Sequence, residues 1–179
     1  NIHPSHTSMV QLISSIKKKY QIGIHPSYQS HDNTTILANE IKLIGSTKSR
    51  QHYIRFQLPT TFRNLIAQGI QEEYSMGYGS TNGFRASTSF DHLWFDLEKN
   101  EVTALRLFPF CYMECNSFYE QNNTSSQALD ELLYYKNVVE KVGGNLITIW
   151  HNFSLGDEPL WTGWKETYQQ FLESMKSSY

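Results

Sequence analysis

The sequence predicts an α/β fold with a mainly parallel sheet, either an open layer or part of a barrel. Three observations carry that expectation. Segments with apolar residues at helical spacing alternate with short β-rich runs at least four times. Alternation of this kind favours helical crossovers between parallel strands. The 179 residues suffice for one domain with its own core and are too few for two comfortable ones. The chain also carries no internal repeat, low-complexity tract or internal linker, so 1–179 reads as a single domain.

The elements follow in order. Met9, Leu12, Ile13 and Ile16 share one face of a first helix over 7–19, and Lys17, Lys18 and Lys19 close it where cations suit the dipole. YQIGIH is β-rich. Leu37, Ile41 and Ile44 mark a second helix from Thr34 to Ile44. QHYIRF reads as a strand. Pro59 opens a third helix bearing Phe62, Leu65, Ile66 and Ile70, ending near Gly69. EEYSMGYGSTNGFRAST has neither period; it reads as a short strand, a long loop and a second strand around Phe84 and Arg85. LWFDLEKNEVTALRLFPFCYM predicts two strands joined by a turn at Glu98 to Glu101. Leu129, Leu132, Leu133, Val139 and Val142 form a helix stopped by Gly143 and Gly144. NLITIWH is the most strand-like segment. Asp157 then caps a last helix with Trp161, Trp164, Tyr168, Phe171 and Met175 along one stripe.

Composition excludes several classes. A net charge of −2 gives non-specific nucleic-acid binding no electrostatic basis. No apolar run reaches membrane-spanning length and no signal peptide is visible. Aromatics reach 14%, which suits sugar stacking and a filled core equally. Cys111 and Cys115 fall in one strand-like run, ~13 Å apart, beyond disulfide reach. Free thiols point to a reducing, cytoplasmic setting. The first residue is Asn rather than Met, which suits a fragment of a longer protein.

Histidine placement is the main functional signal. His25, His52 and His151 stand in or beside strand-like stretches, and strand ends of α/β folds share the rim where ligands bind. Three imidazoles converging on one pocket would suit a metal or acid/base site. His25 precedes Pro26, which ends its strand; His31, six residues on, is the candidate second ligand, at a spacing that signals metal binding only weakly. His151 ends the run ITIW and is the best general acid/base candidate. In SRQHYIRF, strand alternation sets His52 opposite Tyr53 and Arg55, and a buried arginine there needs a carboxylate from Glu40, Glu72 or Glu73. Arg85, on a Gly/Asn-rich loop, is a candidate anion clamp; a solvated arginine is the plainer reading. Phosphate-binding glycine loops, HExxH, CxxC and GxSxG are absent.

IGIHPSYQS, SRQHYIRFQLPTT, GIQEEYSMGYGSTNGFRAST and ITIWHNFSL, in that order, resemble the later part of polysaccharide deacetylase-type proteins. These are the NodB-homology hydrolases of carbohydrate esterase family four, and the resemblance is closest to a branch linked to surface polysaccharide. It runs from about Ile22 to Leu155. It implies a partial or irregular (β/α) barrel and zinc-dependent hydrolysis of an N-acetyl group on a sugar, a carbohydrate substrate. The resemblance matches His25 to the first metal histidine and His151 to the late-strand acid. It sets Arg50 near the arginine that orients the base and Glu73 in the place of an aspartate. His52, Tyr53 and Arg85 would then face substrate.

The departures from that pattern are specific. The paired aspartates that precede the histidine motif have no counterpart, since the first aspartate here is Asp32. Gln29 stands where the second metal histidine belongs, leaving His31 as the substitute. The chain therefore reads as the C-terminal portion of a deacetylase-like protein, inactive alone and prone to pair with a second copy through open sheet edges. The alternative is a homologue that has lost its metal and binds carbohydrate or a partner without chemistry.

Overall fold

The computed structural model describes residues 3–176. The fold is mixed α/β with parallel strand pairing, as expected. The chain forms two compact units: one joins Asn1–Ser75 to His92–Phe108, the other joins Met76–Asp91 to Pro109–Tyr179.

The first unit holds helices α1 (Thr7–Lys17), α2 (Thr34–Ile44) and α3 (Thr60–Ala67). Its strands are β1 (Lys48–Ser49), β2 (Glu72–Glu73), β3 (His92–Asp96) and β4 (Glu101–Leu107). The sheet runs β1-β2-β4-β3, parallel across β1-β2-β4 and antiparallel in the β4-β3 hairpin. Asn33 caps α2 through its side chain, and Gly45, in the left-handed conformation at φ 64°, closes it. Leu37, Phe62, Leu65, Ile70, Trp94, Leu105 and Leu107 are buried. A two-pronged ion pair fastens α3 to β3: Arg63 Nε and Nη2 donate to the Asp96 carboxylate at 2.6 and 2.8 Å.

The second unit pairs β5 (Tyr112–Met113) in parallel with β6 (Thr148–Ile149) and adds α4 (Ser125–Val142) and α5 (Trp164–Lys176). Thr124 and Gln127 form a reciprocal capping box at the start of α4, and Gly143 ends the helix. Leu132, Phe171, Tyr112 and Cys111 build one core cluster; Ala128, Trp161 and Trp164 build another. The aromatic stripe expected of the last helix is therefore core in large part.

Several expectations need correction. QHYIRF is not a strand. Tyr53 and Ile54 both take positive φ (55° and 53°), which folds His52–Ile54 into a tight turn and ends the extended run at Ser49. YQIGIH contributes one bridge, Ile24 to Ser49. No strand forms around Phe84 and Arg85, where the backbone runs through bends and turns. LRLFPFCYMEC is broken: β4 ends at Leu107, β5 belongs to another sheet, and Cys115 lies in the helical turn that follows. Asp157 does not cap the last helix, because Pro159–Trp161 is a separate 3-10 turn and α5 begins at Trp164, beyond Gly163 at φ 88°.

Candidate functional site

Parallel pairing sets up a buried polar cluster in the second unit. The register matches Tyr112 with Thr148 and Met113 with Ile149, so Glu114 and His151 follow closely upon paired strand ends. Glu114 is fully buried, and its Oε1 accepts the backbone N–H of His151 at 2.6 Å. His151 Nδ1 lies 2.7 Å from the same oxygen, and Ser154 Oγ lies 2.9 Å from it. A carboxylate only accepts, so Nδ1 carries the proton and Nε2 is the nitrogen able to take or give one. The His151 side chain is 36% exposed, so the imidazole reaches solvent while its anchor does not.

Two neighbours complete the setting. Phe153 stacks on the His151 ring, with centroids 5.1 Å apart and planes 16° apart. Cys115 Sγ lies 3.5 Å from His151 Nδ1. Burial, reinforced by the Glu114 charge, pushes the Cys115 thiol up to about 12, so it stays protonated at neutral pH. Both cysteines are free thiols. Glu114, Cys115 and His151 each offer a ligand atom within 4.8 Å of the others'. Directly after Cys115 the backbone forms a π-helical turn, Asn116–Glu120. Arg85, also in this unit, donates from Nη1 to the Gly77 carbonyl at 3.2 Å.

The first unit gathers most of the other expected residues. His25 Nδ1 lies 2.8 Å from the Arg50 carbonyl, and the His25 and His52 rings meet edge to face at 4.8 Å. His52 also packs against Tyr53 at 4.6 Å, so the alternation that separated them does not apply. The paired positive-φ residues swing Tyr53 outward, to 77% exposure. Arg55 stacks over Tyr28 at 4.1 Å. His31 sits in the 3-10 turn Tyr28–His31, its Nδ1 3.3 Å from the Asp32 carboxylate.

Glu73 is fully buried beside Ser75, which donates to its carboxyl from both backbone N–H and hydroxyl. Burial pushes the Glu73 carboxyl up to about 7, against the pull of those bonds and of Arg50. Arg50 donates from Nε to the Tyr74 carbonyl at 3.3 Å, and burial lowers its pKa while Glu73 raises it. Arg50 is half-buried, and Glu73 acts on it through charge rather than through a direct hydrogen bond. Glu72 instead pairs with Lys48 at 2.6 Å, and Glu40 accepts the Ser27 backbone N–H. A cleft of about 440 Å³ lined by Arg63, Trp94 and Asp96 includes none of the expected site residues.

Sequence reasoning missed Glu114. It sits at the end of a run read as one continuous strand, where a carboxylate has no reason to turn inward. The break after Leu107 removes that reading, and the MEC stretch then falls at a strand end, where a carboxylate is informative.

A resident zinc needs three protein ligands at a catalytic centre. The His25 geometry suits a ligand, because metal-bound imidazoles usually donate their other N–H to a carbonyl or carboxylate. Among the described residues, however, His25 and His31 belong to no group of three His, Cys, Asp or Glu ligands. The zinc set implied by the family resemblance is therefore not met there.

No protein-family model matches the sequence, and no curated protein matches it. A solved structure does: the crystal structure of a "putative polysaccharide deacetylase from Mycobacterium smegmatis" superposes with a TM-score of 0.61. The two are 12% identical; the match covers 96% of this chain and 62% of the other, so the chain spans under two thirds of that protein's length. At that identity the likeness is one of fold.

Proposed function

We propose that this chain is part of a polysaccharide deacetylase-like protein, one that cleaves the amide C–N bond of an N-acetyl sugar. The observation that carries the proposal is the Glu114–His151 pair at paired strand ends. Glu114 fixes the imidazole tautomer with its proton on Nδ1, and His151, once Nε2 has taken up a proton from solvent, hands that proton to the departing amine as the C–N bond breaks. Support also comes from the fold likeness and from the ordered motifs of the sequence. In this reading the fold is an irregular (β/α) barrel of the deacetylase type. Within the first unit, His52 and Tyr53 are the side chains offered to sugar, with Arg50 and Glu73 behind them, and His25 and His31 are the imidazoles offered to zinc; within the second unit, Arg85 is the side chain offered to sugar. When bound, that metal would polarise the acetyl carbonyl and acidify water. Among the described residues that set falls short of three ligands.

The second reading is a deacetylase homologue that binds carbohydrate without chemistry. Gln29 in the place of a metal histidine, and the incomplete ligand set, favour it. One experiment separates the two readings. The chain is incubated with acetylated chito-oligosaccharide and added zinc, and both acetate release and glycan binding are followed. The first reading expects binding with negligible acetate release from this chain, and release once the missing ligands are supplied by the longer protein. Binding with no release from the longer protein selects the second. Absence of binding by either protein overturns both.

A further inference from the structure

We propose that Glu114, Cys115 and His151 form a binding site for a thiophilic divalent cation, zinc foremost. The site is distinct from the His25 and His31 set and does not depend on the polysaccharide reading.

Three observations converge. The first is the donor set: one carboxylate, one thiol and one imidazole, with ligand atoms mutually within 4.8 Å. Hard cations such as calcium and magnesium prefer oxygen shells, whereas a sulfur–nitrogen–oxygen set suits zinc and its soft relatives. The second is spacing. Bonds of about 2.3 Å to sulfur and 2.0 Å to nitrogen put two tetrahedral ligands roughly 3.5 Å apart. Cys115 Sγ and His151 Nδ1 stand 3.5 Å apart without any rearrangement. The third is an unmet polar atom. Glu114 Oε1 is crowded with donors, yet Oε2 of the same buried carboxyl has no hydrogen-bond partner among the described residues. A buried carboxylate oxygen without a donor is costly, and a cation satisfies it. The exposed part of His151 gives an ion a way in, and three protein ligands leave a fourth position for water.

The proton balance is simple. The thiol gives up its proton to solvent, and the imidazole keeps one proton but moves it from Nδ1 to Nε2. One ion therefore releases one proton.

The test is titration of the full chain with Co²⁺ and with Cd²⁺, reading the thiolate-to-metal charge-transfer absorption in the ultraviolet. The expected result is one equivalent of ion and a band that Cys115→Ser abolishes and Cys111→Ser leaves unchanged. Glu114→Gln should weaken zinc affinity at least about tenfold. Cys115→Ser is a near-isosteric change, which keeps the test decisive even where Glu114→Gln folds poorly; far-UV circular dichroism verifies folding of each variant. A wild-type chain without the band overturns the proposal, and so does a band that survives Cys115→Ser.

Discussion

At the scale of single residues, two buried glutamates behave in opposite ways. Glu114 accepts three donors on one oxygen and so anchors the His151 turn. Replacing it with Ala leaves the His151 backbone N–H and ring N–H without their acceptor. We expect a loss of about 3 kcal/mol of stability in urea unfolding, since hydrogen bonds to buried charges are the costly ones to break. Glu73 instead sits where burial outweighs its partners, and its carboxyl titrates near 7 against an ordinary value of 4.5. Between those two pH values the folded state holds more protons than the unfolded state. Stability is therefore highest below about pH 4.5 as far as Glu73 is concerned, and falls as pH rises through about 7, by about 3 kcal/mol in all. Thermal melts across this range should show the fall in the wild type and lose it in Glu73→Gln. Cys115 should resist iodoacetamide at neutral pH, because burial keeps its thiol protonated.

At the scale of elements, local chemistry decides where the chain turns. The α4 capping box is one such device, and Thr124→Ala should cost about 1 kcal/mol, measurable by chemical denaturation. Close backbone approach is another. A Cβ on Gly77 would lie 2.3 Å from the Phe110 ring, so Gly77→Ala should cost at least about 1–3 kcal/mol through overpacking in the second unit. Helices were legible in the sequence because their signals are local and repeated: α2 runs from Thr34 to Ile44 as its apolar spacing predicts, and the structure adds the Asn33 cap. The β3–β4 hairpin was legible for the same reason, with a turn between Asp96 and Glu101. Of the four two-residue strands, β1, β5 and β6 were blurred, since their flanks look β-rich but leave the ladder. SRQHYIRF misled most. Its composition suits a strand, and nothing local announces that Tyr53 and Ile54 take positive φ, a state that β-branched residues rarely adopt.

At the scale of the whole molecule, site residues were partly legible. His151 stands out in the sequence by its place after an apolar run, and the structure gives it an anchored tautomer. Its partner stayed hidden, because pairing of β5 with β6 joins segments 36 residues apart, as the Tyr112–Thr148 register shows. Metal ligation was the least legible part, since ligand sets are read from distances that spacing along the chain does not fix. Strand β3 lies at the edge of the first unit's sheet and leaves Leu93 and Phe95 about 41% exposed. Such an edge invites pairing with a second copy. Light scattering should therefore give a dimer, and Phe95→Lys should return a monomer.

The central claim is that His151, held by Glu114, faces an N-acetylated sugar. Imidazole nitrogen resonances of the ¹⁵N-labelled chain, followed by NMR during titration with N-acetylated chito-oligosaccharide, test it most directly. The account predicts a protonated Nδ1 on His151 in the free protein, a sugar-dependent shift at its Nε2, and loss of the fixed tautomer in Glu114→Gln. A His151 spectrum indifferent to both the sugar and the substitution would contradict it.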